Sequence, residues 1–318
     1  MEKNSRVYVA GARTLIGTAI LRQLERQGYT NIPGKAGEEP DLTNAGAVDD
    51  FFAHQALEYV FMAAGKSGGI EANRKYPAEL MLNNLLIGCN VIHNSYRYGV
   101  KKLLYLASSC SYPKNCPQPM RVESLLTGAF EPTNEAYAVA KIAGIKLCQA
   151  YRQQYGAKYI VGIPANVFGP GDDFGPEDSH VIAALIRKMH EAKMLGAPFV
   201  EIWGTGTPRR EFIFADDLAD SCLFVMQEYD GAEPINLGGG TDLSIRELAA
   251  TIKEVAGYTG ELRYNPNHPD GMPLKVLDSS KLTTMGWRPT TPFRVALAAT
   301  YDSFLETQGE SMNVRKIL

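Results

Sequence analysis

Short apolar runs and longer amphipathic stretches alternate through the first half of the chain. Arg6–Ala10 is brief, β-branched and apolar, stops at Gly11, and leads into helical spacing over Leu15–Gln27. Tyr59–Ala63, Leu103–Ala107 and Tyr159–Ile163 repeat the buried-strand pattern, and a further strand is expected to end near Ile32. Helical spacing fills Ala45–His54, Ala78–Tyr98 and Tyr137–Tyr155. This alternation predicts an α/β fold built on a doubly wound parallel sheet. After about residue 165 the loops become rich in Gly and Pro, as in Phe168-Gly169-Pro170-Gly171 and Gly204-Thr205-Gly206-Thr207-Pro208. A smaller mixed α/β lobe is expected there. The division reads 1–165 with about 211–238 for a dinucleotide-binding domain, and about 166–210 with 239–318 for a substrate lobe. Glu211–Met226 is expected to return to the first domain.

Composition narrows the partners. A net charge of −3 and a pI near 6.0 point to neither nucleic acid nor an anionic membrane, so an anionic ligand needs local cations. The uncharged stretch Leu80–Tyr96 holds four Asn and His93, and reads as a buried helix rather than a membrane span. No signal-peptide pattern opens the sequence. The cysteines at 89, 110, 116, 148 and 222 are odd in number, form no Cys-x-x-Cys and resemble no zinc set. Reduced thiols in a cytoplasmic protein, with no metal, are the expectation.

Two motifs carry chemistry. Gly11-Ala12-Arg13-Thr14-Leu15-Ile16-Gly17 follows the first strand and opens a helix, the setting for a dinucleotide pyrophosphate at a helix N-terminus. Gly11 permits the tight turn and Gly17 close packing of helix on strand. Thr14 stands where a middle glycine is expected, and its hydroxyl is a candidate phosphate donor. An acid for a ribose 2′-hydroxyl is expected soon after the second strand, but Lys35 comes first and Glu38 and Glu39 only later. Arg13 and Lys35 therefore suit the 2′-phosphate of NADP(H), or else are two solvated surface cations. In the second motif, Tyr137 and Lys141 lie four residues apart and share a helix face. A free phenol titrates at about 10. A neighbouring ammonium lowers that value and fits Tyr137 to protonate the oxygen of a carbonyl receiving hydride.

Longer segments are more distinctive: Lys66-Ser67-Gly68-Gly69-Ile70-Glu71-Ala72-Asn73, Ser108-Ser109-Cys110-Ser111-Tyr112-Pro113-Lys114 and Glu131-Pro132-Thr133-Asn134-Glu135. Others are Ser179-His180-Val181-Ile182, Trp203–Pro208 and Pro269-Asp270-Gly271. On these, from about Val7 to Leu305, the chain resembles the GDP-L-fucose synthase family of extended short-chain dehydrogenase/reductases. The resemblance implies a Rossmann-like sheet and an NADPH-dependent enzyme that inverts C3 and C5 of a GDP-linked 4-keto-6-deoxy-mannose and reduces C4. It also implies a homodimer built from two helices of the sheet domain.

By the same resemblance Tyr137, Lys141 and Ser108 serve reduction, while Cys110 and His180 serve epimerisation. Cofactor contacts are implied for Gly11, Arg13, Thr14, Leu15, Ile16, Gly17, Lys35, Leu106, Lys141, Pro164, Asn166, Val167 and His180. Nucleotide-sugar contacts are implied for Lys188, Trp203, Arg210, Asp270 and Lys275. The chemistry agrees: a C4 ketone acidifies the protons on C3 and C5, and a thiol and an imidazole are side chains suited to move them near neutral pH. Relatives that dehydrate sugar nucleotides carry an Asp-Glu pair where Ser109 and Cys110 stand. The chain departs from the family pattern at Thr14, Ser67, Ala136, Lys188, Arg209 and Leu274. These departures leave open a sister enzyme for another GDP-4-keto deoxy sugar, a dideoxyhexose or heptose, and a non-catalytic NADP(H)-binding regulator.

Overall fold

The computed structural model describes residues 1–309 except Ala36, Glu177, Asp178 and Pro269, together with the backbone alone of Ile70. The members of the quoted motifs at 36 and 269, and the side chain at 70, therefore lie outside the described residues. In chain order the elements are β1 (Val7–Ala10), α1 (Leu15–Arg26), α2 (Ala45–Gln55), β2 (Tyr59–Met62), α3 (Ile70–Lys75), α4 (Pro77–Arg97) and β3 (Lys102–Leu106). Then come α5 (Glu135–Tyr155), β4 (Tyr159–Pro164), β5 (Asn166–Phe168), α6 (Val181–Met194), β6 (Phe199–Trp203), β7 (Arg209–Phe214) and α7 (Ala215–Glu228). The last are β8 (Ile235–Leu237), β9 (Asp242–Ser244), α8 (Ile245–Ala256), β10 (Glu261–Asn265), β11 (Leu274–Lys275), α9 (Ser280–Thr284) and α10 (Phe293–Thr307).

The main sheet is parallel, in the order β1-β2-β3-β4-β8. Its strands are runs such as Val-Tyr-Val-Ala and Lys-Leu-Leu-Tyr-Leu, buried at every position, as a sheet covered on both faces requires. The strand expected near Ile32 is absent. Asn31 meets the free edge of β1 through a single bond, its carbonyl accepting from Val7 N at 3.0 Å. Pro33 has no N–H for a ladder, and Gly34 at φ +79° turns the chain away. That contact still places chain on both sides of β1, so winding reverses at its carboxyl end, where ligands of such sheets bind.

A second core lies around Ile186, Met189, Ile202, Leu248, Ile252, Leu297 and Phe304. It is built from α6, α8 and α10, the parallel pair β6–β10, and a small sheet β11-β7-β5 with β9 antiparallel to β7. The expected return of Glu211–Met226 is split. Residues 211–214 belong to β7 in the small sheet, while α7 packs on α1, with Asp216 paired to Arg26 at 2.9 Å and Asp220 accepting from Gln23 at 2.6 Å.

Glu211 joins the two regions. Only 1% exposed, it accepts Gly240 N and Leu277 N, both at 2.8 Å, and the backbone bond of Gly239. Burial raises its pKa and those N–H groups partly oppose the rise. Glu211→Ala is expected to lower unfolding stability in urea by about 2–4 kcal/mol, because each buried N–H left unpaired costs about 1–3 kcal/mol. Glu211→Gln is expected to lose less.

Candidate active site

The glycine turn at the end of β1 is shaped by contact rather than flexibility alone. Gly11 has φ +86°, and a Cβ there would stand 2.6 Å from the backbone of Ala64. A Cβ on Gly17 would stand 1.9 Å from Gly11 O. Thr14 is the N-cap of α1: its hydroxyl accepts from Gly17 N at 3.0 Å and donates to Gly11 O at 2.9 Å. The hydroxyl expected to reach a phosphate is thus spent within the turn. Leu15 and Ile16 remain as first-turn N–H groups for an anion. Glu39, which lies too late to follow the usual spacing, braces the turn by accepting Gly11 N at 2.6 Å and Tyr8 OH at 2.9 Å.

The two proposed phosphate cations part company. Arg13 is exposed and donates to Gly37 O at 3.2 Å, staying over the turn. Lys35 is paired with Glu25, near the opposite end of α1.

The reductive group sits at the ends of β3 and β2 against α5. Lys141 is 5% exposed, and its Nζ donates to Leu106 O at 3.2 Å and stands 5.8 Å from the centroid of the Tyr137 ring. Burial lowers the Lys141 pKa to about 8. For Tyr137 the structure reverses the sequence expectation. Its pKa is raised, first by burial and then by Cys110, against an opposing hydrogen bond from Ser108. Desolvation dominates, and the group that opposes it is Ser108 rather than the lysine expected from spacing. Gly65 and Asn84, which sequence reasoning missed, complete this corner. A Cβ on Gly65 would lie 2.6 Å from Asn84 Oδ1 and 3.1 Å from Lys141 Nζ, and Asn84 Nδ2 holds Lys66 O at 2.8 Å. Pro164 ends β4, and Asn166 and Val167 lie in β5, with Asn166 Nδ2 on Glu211 O at 2.8 Å.

Cys110 lies in the single turn Ser109–Ser111 just beyond β3, its N–H donated to Ser108 Oγ at 3.2 Å. Its sulfur accepts from Asn134 Nδ2 at 3.2 Å and from Lys275 Nζ at 3.5 Å. Lys275, expected among nucleotide-sugar contacts, is thus brought to the thiol. His180 is the N-cap residue of α6. Its pKa is lowered by burial first and then by Lys275, with Asp173 pulling the other way. Cys110, Lys275 and His180 therefore form one electrostatic group beside Tyr137 and Ser108.

The remaining candidates spread over the smaller region. Trp203 is exposed, with His268 stacked on it at 4.4 Å and 8° and Lys188 Nζ 5.0 Å from its ring centroid. Arg210 is partly buried; burial lowers its pKa, and its guanidinium donates to Arg209 O at 2.8 Å and Asp270 O at 3.4 Å. The Asp270 carboxylate is taken by Thr205, from N at 2.7 Å and Oγ1 at 2.8 Å, so it positions the Gly204–Gly206 turn. Arg209, an added charge, is paired with Asp242 and Glu247. Asn134 lay inside a motif singled out in the sequence, and His268 just before another, but no spacing rule marks either one. Among the described residues no cluster of His, Cys, Asp or Glu is arranged to hold a metal, and no helix is long and apolar enough to cross a membrane.

A parallel sheet with a glycine turn at its switch point, and a Tyr-Lys pair at the ends of neighbouring strands, defines a dinucleotide-dependent enzyme of the short-chain dehydrogenase/reductase type. The chain belongs to the NAD dependent epimerase/dehydratase family, whose model matches residues 7–238. It is 52% identical to GDP-L-fucose synthase 1 of Arabidopsis thaliana, over 96% of this chain and 94% of that protein. Its fold is similar to the GDP-L-fucose synthetase of Naegleria fowleri bound to NADP, with TM-score 0.88, 27% identity, and 98% and 97% of the two chains covered. It is also similar to a GDP-6-OMe-4-keto-L-xylo-heptose reductase from C. jejuni, with TM-score 0.90, 35% identity, and 97% and 99% covered.

Two outcomes follow from the cation geometry. Arg13→Ala is expected to cut the preference for NADPH over NADH about tenfold or more, the scale of one lost charge-assisted hydrogen bond, while Lys35→Ala leaves it nearly unchanged. Steady-state kinetics with both cofactors checks this. Lys141→Met is expected to abolish reduction yet raise stability at pH 7 by on the order of 1–3 kcal/mol, since burial disfavours the ammonium. A cation with a depressed folded pKa costs stability below that value. The gain measured by urea unfolding should therefore shrink as pH rises from about 8 towards the free lysine value of about 10.4.

Proposed function

We propose that this chain converts GDP-4-keto-6-deoxy-mannose to GDP-L-fucose by epimerisation at C3 and C5 and NADPH-dependent reduction at C4. The observation that supports it best is the meeting of Cys110, Lys275 and His180 with Tyr137, Ser108 and Lys141 at one sheet edge. A plain ketoreductase needs only the latter three. The turn of Gly11 to Gly17, with Arg13 above it, fits a dinucleotide carrying a 2′-phosphate. NADPH, when bound, supplies the hydride for C4.

The residues divide the work. The C4 ketone makes the protons on C3 and C5 acidic, and Cys110 and His180 exchange them. Ser108 and Tyr137 hydrogen-bond the C4 oxygen, and Tyr137 gives it a proton as it becomes a hydroxyl. Lys141 keeps positive charge near that phenol, which stabilises the phenolate left once the proton is given. Arg210 and Lys188 supply charge for the diphosphate, and Trp203 supplies a face for the base.

The enzyme works in the cytoplasm as a homodimer on this reading. Supporting this, α4 and α5 lie side by side and leave Leu82, Leu86, Tyr96 and Tyr155 exposed. A second reading, a C4 reductase for another GDP-4-keto sugar, draws support from the fold shared with the heptose reductase. It leaves the polar environment of Cys110 without a use.

The test follows solvent deuterium and NADPH together on GDP-4-keto-6-deoxy-mannose. Tyr137→Phe is expected to lose NADPH oxidation at least about a hundredfold, the scale of general acid catalysis, while deuterium still enters C3 and C5. Cys110→Ser is expected to block that entry with cofactor binding intact, and His180→Asn to impair it in a similar way. Normal exchange in both variants would favour the second reading.

A further inference from the structure

We propose that Lys275 and Asn134 hold Cys110 as a thiolate, so that Lys275 is a positioning residue for proton transfer at the sugar. The inference deepens the reading above and rests on it for the sugar. Two N–H donors converge on one sulfur, Asn134 Nδ2 at 3.2 Å and Lys275 Nζ at 3.5 Å. An ammonium has no acceptor, so the sulfur lone pairs are what it binds, and adjacent positive charge favours the anion. Among the described residues, no carboxylate is paired with Lys275. The thiolate is its counter-ion.

The surroundings fix this contact. Lys275 pairs with Arg210 in the β11–β7 ladder. The next residues are pinned, Val276 N to Gln118 Oε1 at 3.0 Å and Leu277 N to Glu211 Oε2 at 2.8 Å. Ser108 Oγ holds the Cys110 N–H from the other side. The titratable and charged groups facing Cys110 are Tyr137 from α5, Lys275 from β11 and, across Lys275, His180 at the head of α6, with Asp173 beyond it. The other thiols differ. Burial pushes Cys148 and Cys222 up, and Cys116 donates to Pro117 O.

The same charge sorts the two epimerising groups. The Cys110 thiolate takes the proton of the acidic C–H bond and becomes a thiol, and the C–H electron pair passes into the enolate. The His180 imidazolium, made more acidic by burial and then by Lys275, returns a proton to that carbon and becomes imidazole. A proton passing from thiol to imidazole through solvent restores both.

The experiment measures alkylation of Cys110 by iodoacetamide in the full chain, without substrate, by peptide mass spectrometry across pH 6–9. Exposed Cys89 is the internal control. Lys275→Met is expected to slow alkylation of Cys110 at pH 7 at least fivefold and move its pH profile upward, while Lys275→Arg keeps most of the rate. Asn134→Asp, which swaps a donor for a negative charge, is expected to slow it as well, and carries the test if Lys275→Met fails to fold. A change below fivefold in the folded Lys275→Met protein overturns the proposal. If alkylation responds as expected but deuterium enters neither C3 nor C5, the epimerase reading falls and the thiolate assignment stands.

Discussion

Glu211 is a carboxylate taken out of water, and its burial is tolerable only because backbone N–H groups from two other segments close around it. One segment follows β8 of the main sheet. The other follows β11, the strand that carries Lys275. The carboxylate thereby sets the spacing between the two cores, and with it the distance between Lys275 and the Cys110 turn at the end of β3. Asn166 adds a second tie through the Glu211 carbonyl. The site is a seam, and the buried Glu211 side chain ties its two sides together.

Desolvation governs the chemistry on the main-sheet side. Burial pulls Lys141 down to about 8, which leaves it an ammonium at pH 7, and pushes Tyr137 up, which keeps the phenol protonated. A phenol kept protonated is the form needed to donate to a developing alkoxide, and a nearby ammonium is most useful once that proton has left. On the other side, burial first and then the Lys275 cation disfavour positive charge on the His180 ring, and the same ammonium donates to the Cys110 sulfur. Reduction and epimerisation thus rest on different electrostatics within one cleft.

Periodicity made the parallel sheet legible because strands buried on both faces leave long apolar runs with sharp ends. Gly11 and Gly17 were legible for a similar reason: the close approaches at those positions admit no side chain. Tyr137 and Lys141 announced themselves by a four-residue spacing on one helix. What stayed hidden was set by distance in sequence. Asn134 and Lys275 are far apart in the chain, yet share one sulfur. Glu39 sits 28 residues from the Gly11 N–H it braces. Pro33 and Gly34 end the segment where the plan of a dinucleotide fold places a second strand. The sign of the Tyr137 shift needed burial as well as spacing.

The departures from the family pattern acquire local explanations. Thr14 uses its hydroxyl to cap α1 and close the glycine turn, and Arg209 answers Asp242 and Glu247. Both therefore have structural partners of their own. On the proposed reading, Arg210 and Lys188 supply charge for the diphosphate. Both are partly buried cations whose pKa values burial lowers. A desolvated cation gains more from an arriving anion than a solvated one, since the anion replaces hydration already lost. Binding strength in this cleft then depends less on the number of basic residues than on how dry each one is kept, which lets a chain of net charge −3 hold a polyanionic substrate.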